Sequence, residues 1–141
     1  GKSLRVMPQA ANLYENAWQA YRHVLPGAAE GGRDPLPADL DQRGLYCSAD
    51  MPFASPEEIS LFVRVALAQD CDYSLGLVTE ESLRGFYPTA TQPGIRMAYF
   101  NLREGRFRQS NLHLVRPARL GNPHYIEDMY AGAKEEAAAK A

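Results

Sequence analysis

The sequence predicts an α/β fold built on a mixed sheet, and three observations lead to that prediction. Apolar runs of strand length alternate with helical segments over the first eighty residues, as in a parallel sheet. Two extended runs at residues 96–102 and 106–115 flank a Glu-Gly turn, which indicates a late antiparallel hairpin. The length of 141 residues and the 45% apolar content suit a folded domain rather than a disordered chain.

The first elements are a short strand and an amphipathic helix. Residues 4–7 are predicted to form a short strand that Pro8 ends. From residue 12 to residue 25 the period changes, and apolar side chains recur at every fourth position behind Asn12, a suitable N-cap. The glycine- and proline-containing stretch from residue 27 to residue 44 is predicted to be a long surface loop.

The middle of the chain carries the clearest helix signal. Residues 44–49 are a short, mainly apolar run of the kind that buried parallel strands show. Ser55 then begins a capping box with Glu58 and with proline at the first helical position. The helix that follows is predicted to bury one apolar face, formed by Ile59, Phe62, Val63, Ala66 and Leu67.

The remaining elements are shorter. Residues 73–79 are predicted to be a strand, residues 80–84 a short helix and residues 88–94 a loop. A last helix is expected at residues 124–130. The alanine-rich tail at residues 131–141 contains an EAAAK unit, so it is either a helical linker or the end of a native helix.

Arginine dominates the basic residues, although the formal net charge is only −2. A single acid, Glu104, accompanies seven arginines between residues 84 and 124. This region is either a solvated hairpin or a surface that faces an anion, because guanidinium groups suit phosphate and carboxylate recognition. The slightly acidic balance argues against nucleic acid as a partner.

Composition also excludes several classes of protein. No apolar run approaches the length of a membrane-spanning helix, and the first residues lack the apolar core of a secretion signal. Two cysteines are too few for a disulfide framework or a zinc ribbon, which favours a cytoplasmic protein.

Asp50 is the sharpest candidate for chemistry. It follows the apolar run 44–49 and precedes the capped helix, and ligands of open α/β sheets bind beyond the carboxyl ends of strands. A carboxylate there suits Mg²⁺, which takes one or two carboxylates and leaves its other positions to water and phosphates. The alternative is that Asp50 only caps a turn before Pro52.

A second candidate lies inside the arginine-rich hairpin. The polar trio at residues 109–111 interrupts an apolar strand, which is typical of a solvent-facing pair or a β-bulge. Its functional interpretation is that the carboxamide of Asn111 supplies a neutral oxygen ligand to the same metal ion.

Two blocks of the sequence carry a family resemblance. The run LYCSADMPFASPEEISLFV resembles the "aDlPlltpeei" segment of nucleotidyltransferases with a Rossmann-like glycosyltransferase-A fold, the group that includes molybdenum-cofactor guanylyltransferase. The run FYPTATQPGIRMAYFNLREGRFRQSNLHLVRPARL is similar to a second block of that family, which ends in a "ggNl.l.rp" element. NLYENAWQAYR matches, more loosely, a helix that begins near an "eN" pair, so the resemblance covers roughly residues 4 to 130.

The resemblance implies roles for six residues. Asp50 would be the catalytic, metal-binding aspartate beneath the nucleotide phosphates, and Asn111 the second ligand of Mg²⁺. Asn12 and Asn16 would lie near the nucleobase, and Arg96 and Tyr99 on a substrate-side strand. Ser110 departs from the family pattern, because it replaces the glycine that usually precedes the asparagine.

The implied fold is a Rossmann-like three-layer sheet of the nucleotide-diphospho-sugar transferase type. The family's glycine-rich loop for the triphosphate has no counterpart here, so residues 1–130 are expected to be the C-terminal part of such a domain. The implied activity is Mg²⁺-dependent transfer of a nucleotidyl group from an NTP to a small phosphorylated or hydroxyl acceptor, and whether this chain is active alone stays open.

Two non-enzymatic alternatives stay open as well. The hairpin at residues 96–119 would serve as a nucleic-acid-binding module, or the chain would be an assembly piece. In the second case, an open sheet edge pairs with another copy or with a missing N-terminal segment.

Overall fold

The structure, a computed structural model, describes residues 3–51, 54–95 and 97–121. The described chain divides into two compact units: one extends up to Gly44 and resumes at Arg116, and the other comprises Leu45–Val115. The helices and strands are α1 (Leu13–Val24), β1 (Gly44–Cys47), α2 (Pro56–Leu67), β2 (Tyr73–Thr79), α3 (Glu80–Leu83), β3 (Phe100–Leu102) and β4 (Gly105–Val115).

The sheet is antiparallel, and β4 is its central strand. The order is β1-β4-β2, and β3 pairs with the first residues of β4. The alternation of strands and helices correctly predicts an α/β protein, but the prediction of adjacent parallel strands is wrong, because β4 inserts between β1 and β2. β1 also differs from a buried strand, since its residues alternate between half-buried and exposed.

The second unit places α2 against one face of this sheet. Its predicted capping box is present: the Ser55 hydroxyl accepts from the backbone N–H of Glu58 at 3.1 Å, and the Glu58 carboxylate accepts from the N–H of Ser55 at 3.0 Å. Ala66 is buried on the predicted apolar face. Leu67 was expected on that face and is instead 53% exposed, because the helix ends there.

The late hairpin forms as predicted but is shorter at its first strand. β3 begins only at Phe100, and the register Leu102↔Gly105 leaves Arg103 and Glu104 to make the turn. Gly105 has a φ of 144°, a conformation that side-chain-bearing residues rarely adopt, so glycine is required there.

The first unit is organised around α1 and one buried ion pair. Tyr21 and Leu25 are each 3% exposed, and the Tyr21 hydroxyl donates to the backbone carbonyl of Asp39 at 3.3 Å. Asp39 is 5% exposed and receives two hydrogen bonds from the Arg33 guanidinium, at 2.7 and 3.1 Å. The predicted strand at residues 4–7 is absent, since that segment pairs with no other strand.

Within the part of the chain that the structure describes, no helix is long and apolar enough to cross a bilayer. The predicted helix at residues 124–130 and the tail at residues 131–141 lie outside the described residues.

Candidate functional site

A β-bulge in β4 is the most unusual local feature of the second unit. The register runs from Leu75↔His113 to Leu77↔Gln109, so three residues of β4 stand against Gly76 alone. The polar trio at residues 109–111 therefore does mark a bulge, one of the two structures that the sequence indicated.

Gly76 makes room for this bulge. A Cβ atom at Gly76 would overlap the hydroxyl oxygen of Ser110 and would lie 3.3 Å from the Cβ of Ser110 and 3.4 Å from the ring of Phe62 on α2. The Ser110 hydroxyl is buried in this space without a hydrogen-bond partner. The bulge is thus held on one side by the close packing of β2 and α2.

Asn111 lies at the centre of the bulge with a φ of 61°. Among the described residues other than glycine, it is the single one with a positive φ. Residues in β-strands have negative φ, so this conformation is unusual within β4. Its side chain is half-buried, and among the described residues its carboxamide has no hydrogen-bond partner. Strained backbone of this kind concentrates at functional sites, and this residue also offers a free carboxamide.

Asp50 lies three residues beyond the end of β1 and is exposed. The hydroxyl of Ser48 donates a hydrogen bond to its carboxylate. Thus the aspartate follows its strand as predicted, and the Ser48 contact leaves the other carboxylate oxygen for a ligand. Among the described residues, no group of three or more His, Cys, Asp or Glu side chains could hold a metal ion.

The strand order relates Asp50 to the bulge. Phe107 of β4 pairs with Thr79 of β2 on one side and with Phe100 of β3 on the other. Because β1 lies on the β3 side, it flanks the part of β4 that follows Phe107, and that part contains Asn111. Asp50 therefore extends from the strand that neighbours the bulged half of β4.

The two asparagines of α1 have structural roles in the first unit. The side-chain oxygen of Asn12 accepts from the backbone N–H of Glu15 at 2.8 Å, so Asn12 is the predicted N-cap. The side-chain oxygen of Asn16 accepts from the backbone N–H of Ala10 at 2.6 Å. Asn16 also lines an open cleft of about 280 Å³ together with Met7, Pro8, Gln9, Gln19 and Ala20.

Arg96, one of the two predicted substrate-side residues, lies outside the described residues. The other, Tyr99, belongs to a polar and aromatic cluster where β2 ends and β4 begins. The Arg106 guanidinium lies 5.2 Å from the centre of the Tyr99 ring and donates to Glu80 at 2.8 Å. Tyr87 donates to the same carboxylate oxygen at 3.2 Å and meets Tyr99 edge to face at 6.4 Å.

The Glu80–Tyr87–Tyr99–Arg106 cluster changes the pKa of one of its members, Tyr87. Burial, followed by the Tyr99 hydroxyl and the Glu80 carboxylate, raises the pKa of Tyr87 above its usual range. The Tyr99 hydroxyl oxygen is itself buried without a hydrogen bond of good geometry, although the two phenols interact electrostatically. The cluster was missed from sequence, because nothing in the spacing of Glu80, Tyr87 and Arg106 shows that they meet.

Several arginines of the hairpin region are already engaged by the protein. Arg106 pairs with Glu80, Arg119 donates to Asp41 at 2.5 Å, and Arg108 donates to the carbonyl of Ala98 at 3.5 Å. Because ion pairs neutralise part of the positive charge, this surface attracts polyanions less than its composition indicates.

The chain matches no protein-family model, no curated protein and no solved structure.

Proposed function

We propose that this chain takes part in Mg²⁺-dependent nucleotidyl transfer through a site formed by Asp50 and Asn111. The observation that carries the proposal is the backbone of Asn111, which is held in the left-handed region inside a strand, while no described residue makes a hydrogen bond to its carboxamide. A conformation that disfavours folding, at a residue with an unused oxygen ligand, is a reason to expect a ligand there.

The donor set fits a hard cation that also contacts phosphates. Mg²⁺ binds through oxygen, and it is held by one or two carboxylates together with water and substrate phosphates. Asp50 supplies one carboxylate and Asn111 one neutral oxygen, which leaves most coordination positions to a nucleotide. Bound there, the ion would neutralise phosphate charge.

In the proposed reaction, a phosphate or hydroxyl oxygen of the acceptor attacks the α-phosphorus of an NTP. The bond from the α-phosphorus to the bridging oxygen breaks, and pyrophosphate leaves with that electron pair. A reaction of this type needs positioning and charge neutralisation more than covalent chemistry by the protein. The Asp50 carboxylate and the Asn111 carboxamide would hold the ion beside the phosphates.

Calorimetric titration of the 141-residue chain with each NTP, with and without Mg²⁺, tests this proposal. We expect Mg²⁺-dependent binding of at least one NTP that weakens tenfold or more in Asp50→Asn and in Asn111→Gly. Glu104→Gln is the matched control, because it removes an exposed carboxylate from the hairpin turn and leaves both proposed ligands in place.

Two outcomes would contradict the proposal. The first is the same affinity in Asp50→Asn as in the unsubstituted chain. The second is an equal loss in the Glu104→Gln control, because that would attribute binding to general charge rather than to the two named ligands.

The nucleic-acid alternative is not favoured by any specific contact. Its aromatic residues do lie on the hairpin, but Tyr99 is covered by Arg106, and Arg106 is paired with Glu80. Neither side chain is therefore free to stack on a base, which disfavours the nucleic-acid alternative at these two residues.

A further inference from the structure

The outer edge of β2 has no partner strand in the described chain. β4 occupies one side of β2, and β2 is the last strand in the sheet order. Within the described residues, no further strand pairs with β2 on the side that faces away from β4. A row of unpaired N–H and C=O groups on an extended strand is a template for another strand.

This edge lacks the usual features that prevent strand addition. Natural edge strands carry a charged residue, a proline or a bulge, or they are very short. The β2 sequence YSLGLVT is seven residues long and contains neither a charged residue nor a proline. The extra residues of the bulge belong to β4, so the β2 backbone itself stays regular.

We infer that β2 pairs with β2 of a second copy of this chain, in antiparallel orientation about Leu77. A two-fold axis there sets Leu77 against its symmetry mate and Leu75 against Thr79. On the other face it sets Gly76 against Val78, and no two like charges oppose each other along the strand.

The exposed side chains favour a second copy over a charged partner strand. Leu77 is 40% exposed, so self-pairing would cover two leucines on one face of the joined sheet. The strand offers no charge that would select a basic or an acidic peptide. This pairing is independent of the nucleotidyl-transfer proposal, since neither Asp50 nor Asn111 lies on the edge.

Sedimentation velocity over a wide concentration range tests the inference on the full 141-residue chain. We expect a monomer–dimer equilibrium in the unsubstituted protein and a monomer in Leu77→Lys, which sets two cations against each other across the axis. Leu61→Lys is the matched control, because Leu61 is a leucine of similar exposure (51%) that belongs to α2 and not to β2, so this variant should dimerise like the unsubstituted chain.

A second variant keeps the test independent of folding. Leu77→Cys, combined with Cys47→Ser and Cys71→Ser, should form an intermolecular disulfide under mild oxidation, because cross-strand neighbours on a two-fold axis lie within bonding reach. A monomer at every concentration, a dimer in Leu77→Lys, or a monomer bound by an unrelated β-strand peptide in preference to itself would overturn the inference.

Discussion

Substitution of Asn111 by glycine and by alanine tests whether the bulge holds this residue in the left-handed region. Its φ of 61° disfavours any residue with a Cβ atom, by about 1–2 kcal/mol for alanine. Asparagine avoids part of that penalty, and glycine avoids all of it but loses about 0.5–1 kcal/mol through the greater freedom of the unfolded chain. We therefore expect Asn111→Ala to lower the free energy of unfolding by about 1 kcal/mol and Asn111→Gly to change it by less than about 0.5 kcal/mol.

Urea denaturation followed by far-UV circular dichroism is the suitable measurement. Circular dichroism reports on the sheet that contains the bulge, whereas the fluorescence of Trp18 reports on α1 in the other unit. The slope of the free energy against urea concentration should stay constant, because the substitutions do not change the surface that unfolding exposes.

Asn101 on β3 provides the matched control. It is exposed and lacks a positive φ, so the order of stability should reverse there, with Asn101→Ala more stable than Asn101→Gly. If alanine is as stable as glycine at residue 111, the left-handed conformation is not maintained, and the argument that strain marks this site fails.

Three further predictions concern other contacts of the two units. Ser55→Ala should lower the free energy of unfolding by about 1 kcal/mol and Ser55→Gly by only a few tenths, measured by urea denaturation, because glycine is a tolerated N-cap. The hydrogen bonds from Arg33 and from the Leu36 N–H hold the pKa of Asp39 below its ordinary value. The ionised carboxylate therefore contributes to the free energy of unfolding above about pH 4, and this contribution is lost as the pH falls through the lower pKa of the folded state. In urea denaturation at a series of pH values, Asp39→Asn should not show this loss of unfolding free energy at low pH. Ser110→Ala should stabilise the protein, because it removes a buried hydroxyl without a hydrogen-bond partner. In a double-mutant cycle it should also reduce the loss of unfolding free energy that Gly76→Ala causes, and additive effects would contradict the contact between the two residues.

Elements whose signals are local were predictable from the sequence. The capping box at Ser55 and the N-cap at Asn12 satisfy backbone groups within one helical turn, so the residues that decide them are neighbours in the chain. The hairpin turn before Gly105 is equally local. Each of these predictions is confirmed.

The order of the strands could not be predicted in the same way. β1 and β2 precede β4 in the chain, yet β4 lies between them. Apolar runs show that a segment is a strand but not which strand it pairs with, because the pairing depends on packing between residues far apart in sequence. Leu67 shows a related limit, because it fits the helical period but is the last residue of α2 and is exposed.

The candidate site was predictable by residue type but not by geometry. Asp50 and Asn111 were identifiable as candidate oxygen ligands near strand ends or interruptions. The conformation of Asn111 depends on Gly76, which lies on another strand and whose missing side chain admits Ser110. No pattern within either segment reports that cross-strand arrangement.

The same comparison separates the candidate residues by how fully local structure accounts for them. Asn12 and Asn16 direct their side-chain oxygens to backbone N–H groups, so helix capping and the attachment of the preceding segment already explain both residues. Asn111 differs, because its backbone occupies a region that strands disfavour and its carboxamide has no hydrogen-bond partner in the part of the chain that the structure describes. Residues that break the local rules without a structural gain are the ones expected to serve a ligand, since a sequence otherwise agrees with its fold at every level. A loss of nucleotide binding should therefore be larger in Asn111→Gly than in Asn12→Asp, which preserves the N-cap and changes only the group that would meet a base.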